Sequence, residues 1–347
     1  MAPLTLLVGP NGSGKSNVIR SIFLASLVSR DVLSAKQGDI PEDQTVRRYR
    51  PPPIQPVEVY AFTRYPLVLV RLSLGTFPRA DFASRDLGTV KLDWSPERKR
   101  PYVGLTSSPT RKGGARSLVE TVARIRFIST DRLIRPDIDT QSMEVEEQDL
   151  LVGKQLVLAL KQIGRNGSKS DELVKMGREL FGVDWSRLIE DPEDMHFVDA
   201  AIGPRGVRLP FHLASLGTRQ FFPILVHSLA SDKDRILLTE EPEISLHPLA
   251  QVAAGEYLAR AASRGVQLVV STHSHYLLLG ICKQVRAGLI PPGQVAVLNC
   301  EKTRYGTKVN RLPMDNSGRI DGWIPSFSEV DDYLFEDWVR SIGEAGG

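Results

Sequence analysis

Leu4-Thr-Leu-Leu-Val8 is a continuous apolar run with a β-branched member, the pattern of a strand buried on both faces of a sheet. From Asn17 to Ser29 the spacing changes, with apolar residues at Val18, Ile19, Ile22 and Phe23, which predicts a helix. Strand, short loop and helix therefore open the chain. Between 54 and 74, Val57-Glu-Val-Tyr-Ala-Phe62 and Leu67-Val-Leu-Val-Arg-Leu72 read as antiparallel strands of a second β layer. Helical spacing returns over Gln148 to Ile163 and Asp171 to Phe181, with the breaker-rich Gly164 to Ser170 between them, so residues 140 to 195 read as a helical insertion. Further apolar strands, Ile236 to Leu238, Val266 to Val270 and Val295 to Leu298, alternate with helical stretches in the rhythm of a parallel sheet with right-handed crossovers. The class is α/β, with a mostly parallel sheet, an antiparallel β subdomain and the helical insertion.

Composition narrows this picture only a little. Of the 347 residues, 41% are hydrophobic and 24% charged, which excludes global disorder. The 44 Lys and Arg stand against 41 Asp and Glu, so a basic surface has to be local. The richest stretch is 97 to 116, with Arg98, Lys99, Arg100, Arg111, Lys112 and Arg116 among turn-forming residues; it reads as a loop. With Arg47-Arg-Tyr-Arg-Pro-Pro-Pro53 it is the candidate for contact with a nucleic-acid backbone. Cys282 and Cys300 have neither the spacing nor the histidine neighbours of a zinc site and read as reduced thiols of a cytoplasmic protein. No stretch approaches the roughly 18 apolar residues of a membrane span, and the first apolar run is too short for a secretory core.

The chemistry starts at the end of the first strand. Gly9-Pro-Asn-Gly-Ser-Gly-Lys-Ser16 fits the phosphate-loop pattern G-x-x-x-x-G-K-[ST] between a strand and a helix. Such a loop turns backbone N–H groups of Gly9, Pro10's successor Asn11, Gly12, Ser13 and Gly14 toward phosphates. Lys15 reaches the β and γ phosphates, the Ser16 hydroxyl ligates Mg²⁺, and Asn17 begins the helix whose positive end faces the anion. Ile236 to Thr239 delivers Glu240 and Glu241 to the C-terminal edge of the sheet, where one carboxylate can serve the metal and the other the attacking water. Val269-Val-Ser-Thr-His273 delivers a histidine to the same edge. His273-x-His275 lacks the further local ligand that a metal site needs.

Leu213-Ala-Ser-Leu-Gly-Thr-Arg-Gln220 resembles the signature motif of ABC-type ATPases, and the order of phosphate loop, signature, acidic strand end and histidine is that of the family's heads. Glu240-Glu-Pro-Glu-Ile-Ser-Leu-His-Pro248 and Ser271-Thr-His-Ser274 resemble the forms found in the RecF, SMC and OLD-like branch. The resemblance runs in order from residue 4 to 310. It implies a P-loop NTPase fold in one domain, with a first lobe over 1–139, the insertion over 140–195 and a second lobe over 196–347. It also implies ATP and Mg²⁺, with Glu240 at the metal, Glu241 as catalytic base and His273 as the switch residue at the γ-phosphate. Ser215 and Gly217 would contact the ATP of a second copy, giving a head-to-tail homodimer. The implied activity is an ATPase switch acting with DNA or a separate effector, as in DNA repair or phage defence. An ATP-dependent scaffold with negligible turnover is the alternative, and Glu241 argues against it; a membrane-transporter subunit fits the motif forms poorly.

Departures from the family pattern are the Glu at 240 where Asp is usual, a chain that starts almost at the phosphate-loop strand, and Gln141 as a weak stand-in for the Q-loop glutamine. The tail from Thr307 to Trp323 suggests a strand pair and a capping helix, and no nuclease motif follows it, so effector chemistry is expected on another chain.

Overall fold

The computed structural model describes residues 2–16, helical positions 18, 19, 22, 23 and 26, five strands between 57 and 106, and residues 124–128, 130, 154–192, 197–200, 207–231, 235–304 and 306–322. The described strands are β1 (Leu4–Val8), β2 (Val57–Val59), β3 (Leu67–Leu74), β4 (Pro78–Ser84), β5 (Gly88–Ser95), β6 (Arg100–Thr106) and β7 (Arg126–Ile128). They continue as β8 (Val183–Asp184), β9 (Phe197–Ala200), β10 (Val207–Pro210), β11 (Ile236–Glu240), β12 (Gln267–Ser271), β13 (Val295–Thr303) and β14 (Gly306–Leu312). The described α-helices beyond position 26 are α1 (Lys154–Gly164), α2 (Gly167–Phe181), α3 (Ser186–Glu190), α4 (Leu216–Ala230), α5 (Pro248–Ser263) and α6 (His275–Arg286).

The main sheet runs β14-β13-β1-β12-β11-β7. β1 is parallel to both β12 and β13, and β11 is parallel to β12 and β7; only β14 is antiparallel, closing a hairpin on β13. β1, β11 and β12 are buried almost throughout, as strands covered on both faces must be. Their parallel direction brings their C-terminal ends to one edge, with Leu7, Ser271 and Glu240 level across three neighbouring strands. Two antiparallel sheets accompany it, β2 to β6 in sequence order and the small β10-β9-β8.

Two local readings change. The basic stretch 97 to 116 is not all loop: Arg100–Thr106 forms β6 and pairs with β5 from Thr89↔Thr106 to Ser95↔Arg100. Its Arg, Pro and Gly hide the alternation that announces a strand, and neighbouring ladder bonds supply what propensity lacks. Gly164 to Ser170 is also less of a break than its composition suggests. The Asn166 side chain accepts the Lys169 N–H at 3.2 Å, so α2 begins at Gly167 rather than Asp171 and ends at the left-handed Gly182.

The helical insertion packs onto the signature region. Trp185, just before α3, is fully buried, its ring 4.9 Å from that of Phe222 on α4; Phe221, next along α4, lies against Tyr257 of α5. The helix that carries the signature at its start is thus held between the insertion and α5. Arg47–Pro53, Arg98, Lys99, Arg111, Lys112, Arg116, Gln141 and the expected C-terminal helix lie outside the described residues. No described helix is long and apolar enough to cross a membrane.

Candidate active site

The chain leaves β1 through three glycines with positive φ, Gly9 at 135°, Gly12 at 72° and Gly14 at 98°. The turn closes with Ser13 N–H donating to the Pro10 carbonyl, and Val18 N–H to the Gly14 carbonyl starts the helix. Lys15 is buried inside this turn, its ammonium donating to the Gly9 and Pro10 carbonyls at 2.8 and 2.9 Å and approaching Ser13 Oγ at 3.4 Å. Burial lowers its pKa, while Cys300, Glu241 and Glu243 oppose the fall. Ser16 follows in the first helical turn, and Asn17 lies outside the described residues.

Glu240 and Glu241 end β11 in different environments. Glu240 is fully buried. Glu241 takes φ +43°, a left-handed backbone rarely adopted by non-glycine residues, and donates its N–H to the Ser271 carbonyl at 2.8 Å. Its carboxylate is about one-third exposed and stands 3.6 Å from His273 Nε2. Burial depresses the His273 pKa and Lys15 adds to this, with Glu241 acting against both, so the imidazole is held toward its neutral form. A neutral ring can both donate and accept beside the carboxylate.

A third carboxylate joins them that motif reading left without a role. Glu243 Oε1 accepts the Thr272 hydroxyl at 2.8 Å and the His273 N–H at 2.6 Å. Its Oε2 is buried without a partner, and burial, reinforced by Glu241, raises its pKa despite the two bonds. Thr272 also donates its N–H to the Leu7 carbonyl and accepts the Ser274 N–H, while Ser274 caps α6 by accepting from Leu277. The loop after β11 is therefore stitched to the loop after β12 by Glu243 as well as by Glu241. Glu243→Ala is expected to cut any turnover about tenfold, since it strands the buried Thr272 hydroxyl and the His273 N–H. Glu243→Gln keeps the accepting oxygen and is expected within about threefold of wild type; phosphate release over time measures both.

Ser215 caps α4, its Oγ accepting Thr218 N–H at 3.2 Å and sharing a hydrogen bond with Thr218 Oγ1 at 2.6 Å. Gly217 packs so closely on the turn after Glu241 that an added Cβ would stand 2.6 Å from the Ser245 carbonyl oxygen. The signature and the acidic loop touch within one chain, and Leu213, Leu216 and Leu249 around them are exposed apolar side chains.

Thus Lys15, Glu240, Glu241 and His273 gather at one sheet edge, while Ser215 and Gly217 sit beyond the 241–246 turn. Among the described residues no group of three or more His, Cys, Asp or Glu has a metal-binding arrangement. The oxygens at hand, from Ser16 and the two glutamates, suit a hard cation that keeps its waters and binds chiefly to phosphate, as Mg²⁺ does.

Residues 149–279 match the family model described as an AAA domain, putative AbiEii toxin, Type IV TA system. The chain is 32% identical over 140 residues to the DNA replication and repair protein RecF of Beutenbergia cavernae, a match spanning 35% of this chain and 34% of that relative. Similar solved structures include an SMC head bound to the C-winged helix domain of ScpA, with TM-score 0.48 and 14% identity over 89% of this chain and 90% of that one. Another is the SMC head domain from Thermotoga maritima, with TM-score 0.41 and 12% identity over 90% of each chain. The two sequence matches are similarities over part of the chain, and the motif order and the mostly parallel sheet with the phosphate loop at its edge accord with them.

Proposed function

We propose that the chain binds ATP with Mg²⁺ on the 9–17 loop and hydrolyses it as a head-to-tail dimer, working as a switch for DNA or a separate effector protein. The observation that carries this reading is the convergence of the Lys15 loop, the Glu240–Glu241 strand end and His273 at one edge of the parallel sheet, with Glu241 and His273 3.6 Å apart. In it, the loop amides and Lys15 hold the polyphosphate, and Ser16 and Glu240 hold Mg²⁺, which offsets charge on the phosphates. Glu241 takes the proton of the attacking water, and His273 orients the group being transferred. Ser215 and Gly217 serve the ATP of the other copy, and the exposed leucines around them are the surface that dimerisation covers. A DNA-related process rests on the RecF relative, and a defence process on the toxin–antitoxin description of the family.

The test combines equilibrium dialysis with ATP, phosphate release, and light scattering with and without ATP and Mg²⁺. Wild type is expected to bind, turn over and double its mass with ATP. Lys15→Ala, which removes a charged hydrogen-bond donor, is expected to lose at least about tenfold in ATP affinity. Binding unchanged in Lys15→Ala would place the nucleotide elsewhere, and a mass that ignores ATP would remove the dimer.

A further inference from the structure

The C-terminal hairpin reaches the phosphate loop from nearly 300 residues away. β13 pairs with β1 up to Val8↔Asn299, then runs on beyond the point where β1 turns into the loop, and β14 returns alongside it with Thr307 opposite Lys302. At that position Thr307 Oγ1 donates to the Ser13 carbonyl at 2.7 Å. The same hydroxyl occupies the space that a side chain at residue 14 would need, since a Cβ on Gly14 would stand 2.1 Å from it. The loop, β14, β13 and β1 thus form a closed frame whose last link is one hydrogen bond.

That link sets the direction of a peptide group. In a planar trans peptide the C=O and the following N–H point opposite ways. Holding the Ser13 carbonyl toward Thr307 turns the Gly14 N–H to the other side, where a phosphate loop presents its amides. We propose that Thr307 is a positioning residue of the nucleotide site, fixing the Ser13–Gly14 peptide so that its amide is ready to donate to a phosphate oxygen. It touches the loop and not the reacting atoms. The inference rests on the nucleotide-binding reading of the loop and adds a residue outside every motif in it.

Because loop amides of this kind face the α and β phosphates, ATP and ADP should feel the loss alike. The experiment titrates fluorescent mant-ATP and mant-ADP into wild type, Thr307→Val and Thr307→Ser, and follows phosphate release at saturating ATP and thermal unfolding. Valine keeps the shape and removes the donor. Thr307→Val is expected to raise Kd about tenfold for both nucleotides, with kcat within about twofold and an unchanged unfolding midpoint, while Thr307→Ser restores Kd to within about threefold. Wild-type Kd in Thr307→Val overturns the inference alone, as does weakened binding that serine fails to restore. A wild type that binds neither nucleotide overturns the nucleotide-site reading and this inference with it.

Discussion

Glu241→Gln is expected to bind ATP as well as wild type, to lose turnover by about 10²-fold or more, and to accumulate as an ATP-bound dimer. Glutamine keeps the length and one accepting oxygen of glutamate and cannot take a proton, so the substitution removes the proposed base function and little else. The contrast with Glu240 selects the residue: Glu240 is fully buried, whereas the Glu241 carboxylate is part-exposed beside His273. The backbone supplies a second argument. Glu241 holds φ +43°, at a cost of order 1–3 kcal/mol, and that conformation is retained by its N–H bond to Ser271 and by the turn in which Ile244 N–H returns to its carbonyl. A strained non-glycine residue held from both sides at a sheet edge is where a reactive group is expected. The measurement is phosphate release beside light scattering, on both proteins, with ATP and Mg²⁺. Turnover at the wild-type rate in Glu241→Gln would move the base to another residue; lost turnover without a dimer would keep the base and discard the trans arrangement of Ser215 and Gly217.

What the sequence made legible was what lies close along the chain. The glycine-rich loop after β1 and the Glu240–Glu241 end of β11 are each written within ten residues, and the three apolar runs at 236, 266 and 295 found their strands because buried parallel strands need continuous apolar stretches. What escaped depends on tertiary neighbours. Nothing local ties Glu243 to Thr272 and His273 across about thirty positions, or Thr307 to Ser13 across the length of the chain. Glu243 did carry a signal, an acid two residues past the strand-end pair, yet its burial could not be read without the fold. β6 was missed because ladder partners override the weak propensity of its Arg, Pro and Gly, and β4 and β5 lack an uninterrupted apolar run.

The loop's dependence on its neighbours yields the second large effect. Gly9 takes φ +135°, and a Cβ there would stand 2.3 Å from the Cys300 carbonyl oxygen. That oxygen belongs to β13, which is paired on one side with β1 and on the other with β14 through Cys300↔Val309, so it has little freedom to withdraw. Gly12 takes φ +72° with nothing within 4 Å of an added Cβ. Gly9→Ala therefore combines backbone strain with a clash against held backbone, for which we expect a stability loss of about 2–4 kcal/mol and loss of measurable ATP binding. Gly12→Ala bears the strain alone, at about 1–2 kcal/mol, and should keep weakened binding. Urea unfolding of both variants, with the slope compared to wild type, reads the stability difference, and a mant-ATP titration reads the site. Equal, small losses in the two variants would mean that the loop is free to shift away from β13, and the closed frame through Thr307 would then lose its footing as well.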